Sequence, residues 1–185
     1  FPVPMLQTGS GTSTNMNGNE VIARLASLRG VELSPNDDVN MGQSSNDVIP
    51  SALHISSALQ LSTEVIPALT ILIKVIDGVA DTHHQVVKTG RTHLMDALPI
   101  RLSHELRAWS SQFSDNIERL SAVLTRLQKI PLGGTAVGSG VNCAPGFVEQ
   151  ALKSLNSRLV INFGQMDSNY KGLSSIDTVL ETSGL

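Results

Sequence analysis

The chain has 185 residues, of which 41% are hydrophobic but only 3% aromatic, so aliphatic side chains and alanine must fill its core and helices packed on helices are favoured. A net charge of −3 without a basic run argues against nucleic-acid binding. The single cysteine excludes an internal disulfide and suits a cytoplasmic protein, and no uninterrupted apolar run reaches the roughly 18 residues of a membrane helix, so we expect no membrane partner.

The first quarter of the chain alternates small polar clusters with short apolar runs. "GSGTSTN", residues 9–15, predicts a loop that leads into a helix over "MNGNEVIARLASLRG", which ends at Gly30. Residues 31–47 are predicted mostly as loop, with a turn at "SPNDD". We therefore place a domain boundary after residue 47, with residues 1–47 ending one domain and residues 48–185 beginning a helical one.

Two long apolar stripes follow. The first begins at Val48, has Pro50 in its first helical turn and predicts a kink or two abutting helices at Pro67; its apolar positions are Leu53, Leu59, Val65, Leu69, Leu72, Ile76 and Val79. After a predicted loop, "KTGRTHLMDALP" (residues 88–99), the second stripe contains Leu102, Leu106, Trp109, Phe113, Ile117, Leu120, Val123, Leu124 and Leu127.

The last part of the chain predicts a glycine-rich turn, "GGTAVGSG" (residues 133–140), a helix over about residues 145–158 and another from near Ser174. Helices of about 30 residues exceed the mean of about 12 and extend about 45 Å. We expect them to pack against partner helices, from other subunits or from further residues of a longer protein, because the chain begins without Met and stops just after a helical segment.

Three polar loops share one character: "GSGTSTN", "GQSSND" and "GRTHLMD". Hydroxyls and backbone N–H groups near helix N-termini can bind a carboxylate or phosphate. The same residues can equally serve as helix caps and turns, so the pattern alone leaves both interpretations open. His93 is the residue in these loops that can exchange protons near neutral pH.

Other chemical motifs are not present in the sequence. Neither a zinc spacing (H-E-x-x-H or C-x-x-C) nor the Lys-Ser/Thr ending of a phosphate loop occurs, and "PNDDVN" lacks the spacing of a calcium loop. Cys143 has no activating base nearby in sequence and is interpreted as inert.

Three long motifs in register resemble the class II fumarases of the fumarase/aspartase superfamily: "QTGSGTSTNMNGNEVI", "PNDDVNMGQSSNDVIP" and "GRTHLMDALP", followed by "LGGTAVGSGVN". The resemblance implies an all-α homotetramer built on a bundle of very long helices. It also implies reversible addition of water to fumarate, giving L-malate, with no metal or organic cofactor. The chain would supply the end of the N-terminal domain and the first part of the central helical domain.

The resemblance also implies the site residues. Ser10, Gly11 and Thr12 match the first substrate-carboxylate loop, and Ser44, Ser45 and Asn46 match the second. Thr92 matches a substrate-binding position, and His93 matches the active-site histidine, which positions or relays a proton. Active sites in this family combine residues from different subunits.

Two positions choose within the superfamily. Aspartases resemble this chain but carry Gln in place of His93 and Thr in place of Ser45, so an aspartate ammonia-lyase is the second interpretation. A third is a catalytically inert structural protein, since superfamily members serve as lens proteins. The sequence also lacks the family's "GSSxMPxKxNP" loop with its catalytic serine, so we expect the isolated chain to be inactive.

A second anion site is implied at Ser34, Asn36 and Asp37, but with one departure. Many fumarases have "HPND" where this chain has "SPND". The imidazole of that site is therefore replaced by the hydroxyl of Ser34.

Overall fold

Residues 11–185 are described by a computed structural model, and helices dominate it. The helices are α1 (Thr12–Ser27), α2 (Ser45–Gln60), α3 (Ile66–Thr82), α4 (Leu102–Leu127), α5 (Phe147–Asn156), α6 (Asn169–Ser174) and α7 (Asp177–Gly184). Two antiparallel strands, β1 (Val87–Thr92) and β2 (Met95–Arg101), form a hairpin, and two short parallel strands, β3 (Lys129–Ile130) and β4 (Gly164–Gln165), pair with each other.

The chain divides into two compact units. Unit 1 combines the described residues up to Ala58 with Thr125–Ser183, and unit 2 contains Leu59–Leu124 together with Gly184–Leu185. The domain boundary predicted after residue 47 concerns a longer protein and stays a prediction.

The first helix begins earlier than the sequence suggested. The loop expected over residues 9–15 is wrong in its second half, because α1 begins at Thr12. The Asn15 and Asn19 amides are buried, and both donate to the Asn40 side-chain oxygen at 3.0 Å. These hydrogen bonds satisfy polar groups that would otherwise oppose burial of this helix face.

The first long stripe forms one continuous helical run, Ser45–Thr82. Because α2 begins at Ser45 rather than near Val48, Pro50 lies one turn further into the helix than predicted. A π-helical segment, Leu61–Val65, ends two residues before Pro67. Pro67 has no N–H to donate to the carbonyl of the preceding turn, and the helix widens there. In place of the predicted kink or break at Pro67, the chain therefore has a π-helical segment within a continuous helix.

By length and composition alone, the run Ser45–Thr82 could cross a membrane, which the search for uninterrupted apolar stretches had not indicated. Only 6% of its most apolar window is buried within the chain. Ile71, Leu72, Val75 and Val79 of α3 are all exposed. The apolar side of this helix thus lacks a partner within the described residues.

The second long stripe forms α4, as predicted. In unit 2, α4 runs antiparallel to α3, since Ser110 donates to Asp77 at 2.7 Å and Arg107 pairs with Asp81 one turn further along. The loop predicted over residues 88–99 is wrong: it is the β1–β2 hairpin, with five residue pairs in register and an irregularity between Thr89 and Arg91. A two-residue hairpin turn is usually recognised in a sequence by Asn-Gly, and this turn does not contain that pair.

Candidate active site

The segment Ser44–Asn46 forms the start of α2. The Ser44 hydroxyl oxygen accepts the Asn46 N–H at 3.2 Å, and the Ser44 N–H donates to the Asp47 carboxylate at 2.9 Å. This reciprocal arrangement is a capping box, with Asp in place of the usual Glu. The capping interpretation of "GQSSND" is therefore correct for Ser44, whose hydroxyl still has its own hydrogen to donate.

Ser45 and Asn46 line a cavity of about 200 Å³ in unit 1. Its other walls come from α2, from Ala136 and from the C-terminal part of the chain: Ile49, Pro50, Leu53, Ala136, Leu173 and Ile176. Because Pro50 has no N–H, the Asn46 carbonyl also lacks its usual intrahelical donor. A helix N-terminus with a hydroxyl and an amide beside a cavity is suited to bind a carboxylate.

A second cavity of about 520 Å³ lies beside the residues just before α2, also in unit 1. Gln43 and Ser44 face residues of the glycine-rich loop there, including Thr135 and Ser139. Ala136 lines both cavities, so each cavity lies between the glycine-rich loop and residues 43–46.

Asp47 is the residue that reading the sequence missed. Its side chain is fully buried, and one carboxylate oxygen accepts the N–H groups of Gly133 and Thr135, both at 2.9 Å. The other oxygen accepts the Ser44 N–H. The sequence contains a carboxylate three residues after a capping serine, and a glycine-rich turn far downstream. Only the fold shows that the two are in contact.

Gly11 and Thr12 lie at the start of α1, while Ser10 lies outside the described residues. A Cβ at Gly11 would stand 2.8 Å from Cγ1 of Ile49 in α2. Gly11 therefore lies close to the beginning of α2, and there is no room for a side chain at this position.

Thr92 and His93 belong to the other unit. Thr92 ends β1, and His93 and Leu94 form the two-residue turn, with φ values of 53° and 62°. His93 is exposed, and beside the turn Arg91 pairs with Asp96 at 3.0 Å. Positive φ is unfavourable for both residues, so the turn carries local backbone strain at the one histidine to which a chemical role was assigned.

The residues of the implied second anion site are bonded to one another. Ser34 caps the π-helical turn Pro35–Val39 by accepting the Asp37 N–H at 3.1 Å, and its own N–H donates to Asp38 at 2.7 Å. The Asn36 amide donates to the Asp37 carboxylate at 3.0 Å. Two carboxylates at this turn oppose the approach of an anion.

Two further titratable groups have shifted pKa values. Burial lowers the pKa of His54 below its usual value, while hydrogen bonds with the Lys129 and Leu127 carbonyl groups act less strongly in the opposite direction. Burial, and secondarily the charge of Asp47, raises the pKa of the Cys143 thiol. A thiol with a raised pKa is a poor nucleophile, in agreement with its interpretation as inert. Within residues 11–185, no cluster of three or more His, Cys, Asp or Glu side chains could bind a metal.

Comparison with known proteins places these features in context. A family model described as "Lyase" matches residues 1–185. Fumarate hydratase class II 2 of Pseudomonas aeruginosa is 49% identical over 185 residues, which are 100% of this chain and 40% of that protein. The crystal structure of class II fumarase from Schistosoma mansoni matches with a TM-score of 0.87 at 37% identity, over 100% of this chain and 43% of that one.

A second solved structure, fumarate lyase:delta crystallin from Brucella melitensis bound to cobalt, matches with a TM-score of 0.79 at 36% identity, over 92% of this chain and 38% of that one. The chain spans about 40% of the length of the curated relatives it matches. These matches confirm the predicted all-α, fumarase-type fold. The roles of the individual site residues stay predictions.

Proposed function

We propose that the complete protein catalyses the reversible hydration of fumarate to L-malate. This chain belongs to the lyase family, and it is similar over its whole length to class II fumarate hydratases. The substrate is then a small dicarboxylate. The proposed reaction is an anti addition of water through a carbanion that the adjacent carboxylate stabilises, and it uses no cofactor.

The observation that carries the proposal is the start of α2. Here Ser45 and Asn46 line a cavity at the N-terminus of a 16-residue helix. Asn46 donates one amide N–H to the Ala136 carbonyl at 2.8 Å, which fixes the amide and leaves its second N–H for a ligand. Hydroxyl and amide donors at the positive end of a helix suit one carboxylate of fumarate.

The chemistry requires such donors. In the dehydration direction, a base removes a proton from the malate carbon next to a carboxylate, and the electron pair spreads into that carboxylate. The hydroxyl group on the neighbouring carbon then leaves with a proton as water. Fixed N–H and O–H groups that bind the carboxylate stabilise its extra charge in the transition state. Hydration is the reverse, with water oxygen bonding to one alkene carbon and a proton to the other.

Within this scheme, Ser10, Gly11, Thr12, Ser44 and Thr92 also contact the substrate, and His93 positions or relays a proton through water. The imidazole of His93 is exposed at the tip of a hairpin, where substrate or water can reach it, which supports this assignment. The strained φ values at His93 and Leu94 agree with a functional turn.

The proposal includes a homotetramer whose active sites combine residues from different subunits. Ile71 and Val75 of α3 are 63% and 57% exposed, which supports burial of this face against partner helices. A lipid bilayer is the competing partner for such a helix, but the charged side chains of Lys74 and Asp77 lie within the same run and oppose its insertion. A cytoplasmic location completes the proposal, supported by the single cysteine of the sequence, Cys143.

The test is an assay of the full-length protein with fumarate, followed by loss of ultraviolet absorbance. We expect His93→Asn to lower the hydration rate by about 10²- to 10⁴-fold, the usual contribution of a positioned proton-transfer group. His104→Asn, an exposed histidine on α4, is the matched control and should keep wild-type activity. Light scattering would check that the assembly is unchanged in both variants.

Aspartate is tested in parallel as a substrate that would release ammonia. Ammonia release without hydration of fumarate would move the protein to the aspartate ammonia-lyases. Inactivity with both substrates would favour a structural role.

A further inference from the structure

In the proposal so far, the glycine-rich loop, Gly133–Gly140, contributes only the Ala136 carbonyl, yet it is attached to the start of α2 by an unusual set of hydrogen bonds. Asp47 accepts two N–H groups of this loop through one carboxylate oxygen and the Ser44 N–H through the other. A single buried carboxylate therefore joins segments that are 86 residues apart.

These hydrogen bonds are strong because the acceptor is charged and excluded from water. Backbone N–H groups that donate to a carboxylate form shorter and stronger bonds than those that donate to a neutral oxygen. The Asp47 side chain has no exposed surface, so leaving any of its partners unpaired would strand a buried polar group. The arrangement thus has one low-energy geometry.

The second link runs in the opposite direction. Asn46 donates from its side chain to the Ala136 carbonyl of the loop at 2.8 Å. At the beginning of the loop, a Cβ on Gly133 would stand only 2.2 Å from Cγ2 of Val148, so the loop backbone packs tightly against α5. Loop and helix start consequently hold each other in place.

We propose that Asp47 is a positioning residue of the dicarboxylate site, and that the glycine-rich loop forms a fixed wall of that site. Asp47 itself donates nothing to the substrate. It holds the N-terminal amides of α2 and the loop in one arrangement, while Ala136 orients the Asn46 amide. This inference rests on the proposed function and adds a residue and a loop to it.

The decisive variant is Asp47→Asn in the full-length protein. An asparagine offers one oxygen instead of two, so either the loop amides or the Ser44 N–H would face an NH₂ group. The donors at the start of α2 bind the substrate carboxylate and also stabilise the charge that develops on it, so looser positioning raises KM and lowers kcat as well. We expect KM for fumarate to rise about 10-fold or more, together with a fall in kcat.

Ser51→Ala is the matched control. Ser51 is buried one turn along the same helix and donates to the Asp47 backbone carbonyl at 2.6 Å, so its loss disturbs the helix but leaves the carboxylate bonds intact. It should lower the thermal unfolding temperature without changing KM. Unchanged KM in Asp47→Asn, with lower stability alone, would refute the positioning role.

If Asp47→Asn does not fold, Ala136→Gly decides the question. Glycine adds backbone freedom at the carbonyl that orients Asn46 and removes only one methyl group. A KM raised about 3-fold or more supports the inference, and an unchanged KM overturns it. Wild-type protein that fails to hydrate fumarate would refute the proposed function and this inference together, whereas active wild type with unchanged KM in the variants refutes the inference alone.

Discussion

The buried face of α2 is polar. Asp47, Ser51, His54 and Ala58 occupy one side of the helix and are all buried. Each polar member has a partner: loop amides for Asp47, the Asp47 carbonyl for Ser51 and the Lys129 carbonyl, at 2.8 Å, for His54. Such pairing is the condition under which polar side chains can be buried.

His54 makes the stability of the protein sensitive to acid. Its pKa is lowered by burial, so between about pH 6.5 and the lower folded-state pKa the unfolded chain binds a proton that the folded chain does not. Stability contributed by this residue is therefore present above this window and is lost as the pH falls through it. His54 can change the slope of the unfolding free energy against pH by at most about 1.4 kcal/mol per pH unit, the limit for one proton.

The comparison is between wild type and His54→Gln, which keeps an amide donor for the Lys129 carbonyl but does not titrate. We expect the unfolding free energy of wild type to fall more steeply than that of the variant between pH 7 and pH 5. Parallel curves from chemical denaturation would contradict the assignment.

At the scale of elements, the glycine-rich loop is more rigid than its composition suggests. Gly138 has a φ of +100°, and a Cβ there would lie 2.8 Å from the backbone nitrogen and Cα of Tyr170 in α6. Neither backbone atom can move as the end of a side chain could. The loop thus depends on glycine for both conformation and packing.

Gly138→Ala should destabilise the full-length protein by about 2 kcal/mol or more, the sum of left-handed backbone strain and overpacking. Gly18→Ala is the matched control: it lies within α1, and apart from the adjacent backbone of the helix itself no atom lies within 4 Å of the added Cβ, so a gain of about 0.5–1 kcal/mol is expected. Unfolding in urea gives both values. Equal effects of the two substitutions would show that packing around Gly138 is looser than described.

Sequence periodicity located the elements that pack through regular apolar faces, such as α4, and missed those shaped by particular contacts. The sequence does not indicate the β1–β2 hairpin, because its turn residues, His93 and Leu94, are unusual at positive φ. The early start of α1 depends on Asn15 and Asn19 finding Asn40, which no local pattern reveals. Ser44 as a helix cap was visible in the sequence, but the long-range partners of Asp47 were not.

At the scale of the whole molecule, the exposed apolar side of α3 is the surface that the proposed tetramer must cover. Introducing lysine at Ile71 and Val75 together would force two charges into that interface, where burial of an unpaired ammonium group is strongly unfavourable. We expect Ile71→Lys/Val75→Lys to dissociate the assembly and to lower hydration at least about 10-fold.

Val160→Lys is the control, since Val160 is 76% exposed and lies outside the long helices. Light scattering after size-exclusion chromatography measures the mass of each variant. A double variant with the mass of wild type would place the subunit contacts elsewhere, and recovery of wild type with membranes would favour the bilayer.

The two-segment construction of unit 1 has a consequence for biosynthesis. The helix start at Asp47 leaves the ribosome first, but its partners Gly133 and Thr135 follow only after Leu59–Leu124 of unit 2. Gly133 lies 86 residues after Asp47, and at roughly 5–20 residues per second this stretch takes roughly 4–17 s to translate. During that interval the Asp47 carboxylate stays hydrated, and the start of α2, the proposed substrate-binding segment, acquires its final geometry only when the nascent chain supplies the glycine-rich loop.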